Sequence, residues 1–170
     1  MEIADGIWVV ENFVTPEKCQ EWIDFAEKVG FSDKKIISGI RTSATIDDSE
    51  KSLHLWQCAK KYLPERINEN VAIGLNERLR FYRYDSAQKF AWHIDSSVML
   101  SEKRLSFLTF LIYLNDDYQG GETMFRDSNK TTIFPKVGMM LAFKHEIPHE
   151  GAEILSGRKY ILRSDVMFSS

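Results

Sequence analysis

The sequence predicts an α+β domain in which two helices come first and then brace a run of short strands. Three observations predict it. Apolar residues recur at helical spacing in the first third, the period moves toward two from Leu79 onward, and turn-forming residues punctuate that second part at short intervals. A length of 170 residues suits one domain, and 44% hydrophobic with 12% aromatic content is enough for a core without metal or disulfide staples.

The elements follow in order. Thr15-Pro16 is a helix start, with Thr as N-cap and Pro in the first turn. Trp22, Phe25, Ala26 and Val29 continue at helical spacing, and Gly30 ends the run. A second helix is expected over 49–62, with Leu53, Leu55, Trp56 and Ala59 apolar and Pro64 as its stop. Strands are expected over 80–84, 90–95, 107–114, 131–134, 139–145 and 159–168. Between them lie Asp85-Ser86, Asn115-Asp116-Asp117, Gly120-Gly121, Arg126-Asp127-Ser128-Asn129, Pro148 and Ser156-Gly157. Residues 1–76 thus read as helical support and 77–170 as the strand-rich core of one domain.

Composition excludes several function classes. A net charge of −3 with both signs mixed leaves no basic stripe for nucleic acid. No apolar run approaches the ~18 residues of a membrane span, and the acidic N-terminus, Met1 to Gly6, lacks the pattern of a secretory signal. Cys19 and Cys58 fall in the two expected helices, which is neither a disulfide framework nor a zinc spacing. A soluble, intracellular domain is the expectation.

Four histidines are present, and their positions matter more than their number. His93 and Asp95 form an H-x-D pair inside a strand-like run. Residues two apart on a strand share a face, so an imidazole and a carboxylate project together while Phe90, Trp92 and Ile94 are expected to pack on the other side. One more imidazole would complete the two-His-one-carboxylate facial set of non-haem Fe(II), which leaves open coordination positions. His149, in Ile147-Pro148-His149-Glu150-Gly151, is the candidate. His145 and His149 also stand four apart, the spacing of a zinc pair on a helix, but Pro148 argues against a continuous helix there. His149 is therefore the preferred ligand and His145 a strand-end residue or one that supports the ligands. His54 falls in the second helix with no assigned role.

From Leu79 to Phe168 the chain resembles the double-stranded β-helix (jelly-roll, cupin-like) core of Fe(II)/2-oxoglutarate dioxygenases, in their prolyl 4-hydroxylase-like branch. The pieces that carry the resemblance come in the family's order: Arg80 to Tyr84, Gln88-Lys89-Phe90, His93-Ile94-Asp95, Leu108 to Asn115, Gly120 to Phe125, Pro135 to Gly138, His149-Glu150-Gly151 and Gly157 to Tyr160. The resemblance implies Fe(II) held by His93, Asp95 and His149, with 2-oxoglutarate as co-substrate, O₂ as oxidant and ascorbate as reductant. It implies hydroxylation of a C–H bond, coupled to oxidative decarboxylation of 2-oxoglutarate to succinate and CO₂. A peptidyl proline is the favoured substrate. A free amino acid or other small molecule, and a non-catalytic binding module on the same barrel, are the alternatives.

The far carboxylate of 2-oxoglutarate needs a cation, because burying an unpaired carboxylate is costly. In this family a Lys or Arg shortly after the distal histidine supplies it, and Lys159 takes that position. Parity agrees. Tyr160, Leu162, Val166 and Phe168 make an apolar face for the helices, whereas Lys159, Ile161, Arg163 and Asp165 make a polar one for the cavity, with Arg163 as a second contact. On 107–114, Leu108, Phe110, Ile112 and Leu114 form a continuous apolar face, and Thr109 and Tyr113 oppose them with hydroxyls for a carboxylate. Tyr84 matches a further tyrosine near the co-substrate. Gly120-Gly121 reads as a turn with an architectural role. Arg41, in Gly39 to Ser43, resembles a substrate-contacting arginine that precedes a mobile loop, here expected over 44–51. The family often has Gly before Gln88, where this chain has Ala87.

Overall fold

The computed structural model of the chain describes the backbone of residues 1–36 and 39–169 and, outside 34–41, their side chains. Helix α1 (Pro16–Val29) begins where Thr15 accepts the Lys18 amide on its hydroxyl and Pro16 occupies the first turn. It ends at Gly30, whose φ of 91° an L side chain resists. Its buried face is Cys19, Ile23 and Ala26, spaced four and three apart. Helix α2 (Ser49–Ala59) is capped by Asp48, whose carboxylate accepts the Lys51 amide, and runs on into a 3₁₀ turn at Lys60–Tyr62. It buries Ser52, Leu55 and Ala59; the expected apolar positions Val29 and Leu53 are exposed instead. Among the described residues no helix is long and apolar enough to cross a membrane.

Residues 1–76 differ from the helical expectation. Besides the two helices they contribute the strands Glu2–Ala4, Ile7–Val10, Ser32–Ile36, Gly39–Asp47, Arg66–Ile67 and Asn70–Leu75. The expected loop over 44–51 does not exist as a loop. Its first part belongs to Gly39–Asp47, paired antiparallel with Arg78–Asp85, and the rest is the α2 cap and first turn. The polar Thr-Ser-Ala-Thr segment hides a strand that buries Thr42, Ser43 and Ala44.

The major sheet runs Glu2–Ala4, Ile7–Val10, Met140–Lys144, Arg104–Tyr113, Arg158–Ser169, Arg78–Asp85, Gly39–Asp47, Ser32–Ile36, all antiparallel along this path. The minor sheet runs Thr132–Ile133, Thr123–Phe125, His149–Gly151, Phe90–His93. Two cores result, one on each face of the major sheet. On the helix side Cys19, Ile23, Leu55 and Ala59 pack with Leu108, Phe110, Leu162, Val166 and Phe168. On the other side Tyr82, Tyr113, Phe125, Phe143 and Ile161 fill the space toward the minor sheet. This is the jelly-roll braced by helices that the sequence leads one to expect, with the parity of both central strands as read.

Two local features set the Arg158–Ser169 strand in register. The Asn115 side chain donates to the Arg158 carbonyl and accepts the Tyr160 amide, both at 2.7 Å, as a neighbouring strand would. Gly157 turns into the strand with φ of 85°, and a Cβ there would sit 3.0 Å from Tyr118 Cα.

Ala87 occupies the turn before Phe90–His93 with φ of 66°. That conformation costs an alanine roughly 1–2 kcal/mol, while glycine in its place gives back roughly 0.5–1 kcal/mol in unfolded-state entropy. Ala87→Gly is therefore expected to leave stability unchanged or raise it by up to about 1.5 kcal/mol, where most Ala→Gly changes lower it. Urea unfolding checks this; a clear loss would show that the turn does not need a left-handed residue.

Candidate active site

The site lies between the two sheets. His93, at the end of Phe90–His93, pairs directly across the minor sheet with His149 on His149–Gly151. Their ring centroids are 4.2 Å apart. Asp95 lies two residues past the strand end, where its amide donates to the His145 carbonyl at 3.0 Å. Its carboxylate faces both imidazoles, with Oδ1 3.7 Å from His93 Nε2 and Oδ2 3.7 Å from His149 Nε2. One ligand atom from each residue lies within 4.8 Å of the others.

Both rings are held the same way. His93 Nδ1 donates to the Ala91 carbonyl at 2.7 Å and His149 Nδ1 to the Ile147 carbonyl at 3.0 Å. With the proton on Nδ1, each Nε2 presents a lone pair toward Asp95. His93 Nε2 is buried and has no hydrogen-bond partner among the described residues. Burial pushes the His149 imidazole down to about 4 against the pull of Asp95, so it is neutral as a metal ligand must be. For Asp95, burial would raise the carboxyl, but the His93 imidazole, the Arg163 charge and the Thr109 hydroxyl outweigh it and hold it well below the usual carboxylate range. Two imidazoles and one carboxylate, with an orphaned buried nitrogen among them, fit a divalent cation such as Fe(II).

Arg163 faces the cavity on the predicted side of its strand, and its guanidinium reaches Asp95 Oδ1 at 3.1 Å and Asp165 Oδ1 at 3.5 Å. Asp165 in turn meets Arg80 at 3.1 Å. Four charges thus alternate in sign through the barrel. Thr109 also lines the cavity, and its hydroxyl bonds Asp95 and His145.

Lys159 enters the same cavity from the Arg158–Ser169 strand and is 3% exposed. Its Nζ donates to the Gly121 carbonyl and lies 5.1 Å from the Tyr113 ring centre, and no carboxylate among the described residues is within ion-pair distance. Burial pushes its amine down to about 7, with the Glu122 charge opposing. A buried cation that lacks an anion is what an incoming carboxylate requires. Arg158, the neighbouring basic residue, is exposed and pairs with Asp85.

Tyr84 lines the cavity. Tyr113 is fully buried behind it and shares a 2.6 Å hydrogen bond with Thr123, which does line it. Tyr82 and Thr123 were missed in the sequence. Parity applied along Arg78–Asp85 would have found Tyr82 beside Tyr84; Thr123 was hidden by the architectural reading of Gly120-Gly121. The expectation that Phe90 and Ile94 pack away from His93 is corrected. Phe90 stacks on His93 at 3.8 Å and lines the cavity, while Ile94 is 61% exposed. Between Phe90 and His93 the register slips by one residue against His149–Gly151, a bulge that puts residues three apart on one face. Arg41 belongs to Gly39–Asp47, but its side chain lies outside the described residues.

Comparison with known proteins agrees with this geometry. The model of the 2OG-Fe(II) oxygenase superfamily matches residues 79–164, about half of the chain. The chain is 30% identical to a candidate prolyl 4-hydroxylase of Acanthamoeba polyphaga mimivirus, over 91% of this chain and 71% of that protein. Its fold is similar to that of the viral collagen prolyl hydroxylase of Paramecium Bursaria Chlorella virus-1 in complex with 2OG, with TM-score 0.69, 21% identity and 99% of each chain covered. It is also similar to a Trichoplax adhaerens prolyl hydroxylase in complex with a hypoxia inducible factor peptide fragment, with TM-score 0.72, 19% identity, and 96% and 84% of the two chains covered.

Proposed function

The chain belongs to the 2OG-Fe(II) oxygenase superfamily, and from that premise we propose that residues 1–170 act as one catalytic domain that hydroxylates a peptidyl proline. The observation that carries this reading is the convergence, in one cavity, of the His93–Asp95–His149 cluster and an anion-seeking Lys159. When bound, Fe(II), 2-oxoglutarate and O₂ would together supply the oxidising chemistry, one oxygen atom going to the substrate and the other to succinate, with CO₂ released.

The protein's own residues bind, orient and exclude water. His93, Asp95 and His149 hold the metal. Lys159 takes the far carboxylate of 2-oxoglutarate, and Tyr84 lies beside it. If Tyr113 donates to Thr123, the Thr123 proton is left for the same carboxylate, so Tyr113 acts through Thr123. Thr109 and Arg163 serve the metal end of the cavity, because both are bonded to Asp95. Phe90, Leu111, Phe143 and Ile161 supply apolar walls that exclude water from the reacting centre. Arg41 contacts the substrate, and ascorbate keeps the metal reduced. A peptide substrate is supported by the names of the relatives, one of which is seen with a peptide bound.

Incubation with Fe(II), 2-oxoglutarate and ascorbate tests the reading. A proline-containing peptide is expected to raise succinate formation at least ~10-fold over the peptide-free rate and to gain one oxygen atom by mass spectrometry. Turnover with free amino acids alone would overturn the peptide assignment.

A further inference from the structure

Behind Asp95 stands a chain of hydrogen bonds whose direction is set at the carboxylate, which only accepts. The Thr109 hydroxyl therefore gives its proton to Asp95 Oδ2. With that proton used, Thr109 Oγ1 accepts the Nδ1–H of His145 at 3.0 Å. A neutral ring with its proton on Nδ1 leaves Nε2 to accept the Ser106 hydroxyl at 2.8 Å, and Ser106 Oγ in turn accepts the Val98 amide, also at 2.8 Å. Ser106, Thr109 and His145 are all buried, and burial lowers the His145 basicity, in keeping with a neutral ring.

The arrangement needs an irregularity. Ser106 and Thr109 are three apart on Arg104–Tyr113 and in a regular strand would face opposite ways. The register slips by one residue between Ser106 and Leu108 against Arg158–Ser169, and this bulge turns both hydroxyls toward His145. His145 follows the end of Met140–Lys144, and its backbone is fixed separately, by N–H to the Phe107 carbonyl and C=O to the Asp95 amide. The imidazole therefore has no backbone-anchoring task. Both of its nitrogens are engaged, which removes it from the pairing with His149 as zinc ligands.

We propose that His145 is a positioning residue for the metal. By filling the Thr109 acceptor site with a fixed Nδ1–H, it obliges the Thr109 proton to point at Asp95 and holds the carboxylate in the orientation that faces His93 and His149. The inference rests on Asp95 being a metal ligand.

The test is Mn(II) binding to the metal-free protein by calorimetry, with no turnover involved. His145→Leu is expected to weaken Mn(II) binding about 10–100-fold. His145→Gln, whose amide keeps one donor and one acceptor, is expected to stay within about 3-fold of the parent. Because His145 acts through Thr109, the His145→Leu/Thr109→Val double variant should bind about as weakly as Thr109→Val alone. Unchanged affinity in His145→Leu, or losses that add in the double variant, would overturn the proposal. Should the leucine variant not fold, Thr109→Val decides, since an unchanged Mn(II) affinity there refutes the chain. His93→Ala is the separate control: if it binds Mn(II) as the parent does, the metal-site reading itself fails.

Discussion

Asp95→Ala is expected to abolish 2-oxoglutarate turnover and, in the metal-free protein, to lower folding stability by about 3 kcal/mol or more, the cost of breaking a buried ion pair from one side. The Asp95 and Arg163 side chains are 6% and 12% exposed. With Asp95 gone, Arg163 must share Asp165 with Arg80, and one positive charge in the row lacks a counter-charge. His93→Ala should be equally inactive, yet within about 1 kcal/mol of the parent before metal is added, because the ring gives up one neutral hydrogen bond, Nδ1–H to the Ala91 carbonyl, and its Nε2 makes none. Succinate assays and urea unfolding of the apo proteins separate the two effects. Equal stability of the two variants would mean that Arg163 does not depend on Asp95.

Lys159→Ala should raise the KM for 2-oxoglutarate about 30- to 1000-fold, the loss expected when a buried charge pair is deprived of one member. Mn(II) affinity should be nearly unaffected, since Lys159 holds no metal ligand. A pH dependence accompanies this. The amine is pushed down to about 7 in the ligand-free protein, and the carboxylate binds its protonated form. Affinity for 2-oxoglutarate is therefore greatest below about pH 7 and falls by roughly tenfold per unit as pH rises above it, one proton being taken up on binding. Folding runs the other way: in the ligand-free protein the unfolded lysine holds its proton to higher pH, so stability rises between about pH 7 and pH 10. Binding titrations of the metal-loaded protein across this range check the first trend. A flat profile, or an unchanged KM in Lys159→Ala, would show that the carboxylate is held elsewhere.

Much of this site was legible because strands have a period of two. That rule separated Lys159, Ile161 and Arg163 from Tyr160 and Leu162, and Thr109 from Leu108 and Phe110, as the two cores then divide them. It failed where a bulge breaks the period. Phe90 faces the cavity with His93 for that reason, and Ser106 joins Thr109 on His145 for the same one. No residue type announces these insertions; they exist only in the pairing of distant strands. The Gly39–Asp47 strand was missed for a different cause. Its Thr, Ser and Asp residues have the composition of a loop, and its strand character depends on the Arg78–Asp85 strand beside it.

The Asn115 clasp and the Gly157 turn have a consequence for quality control of the folded chain. A slip of one residue along Arg158–Ser169 would send Lys159, Arg163 and Asp165 under the helices and deliver Tyr160 and Leu162 to the cavity. Each stranded charge would cost several kcal/mol, comparable to the whole stability of a domain of this size. A mis-set barrel would therefore be too unstable to persist and would be left to proteolysis. Any molecule that survives folding carries Lys159 and Arg163 on the cavity side, so well-folded copies that lack the buried cation are excluded by the same alignment that builds the sheet.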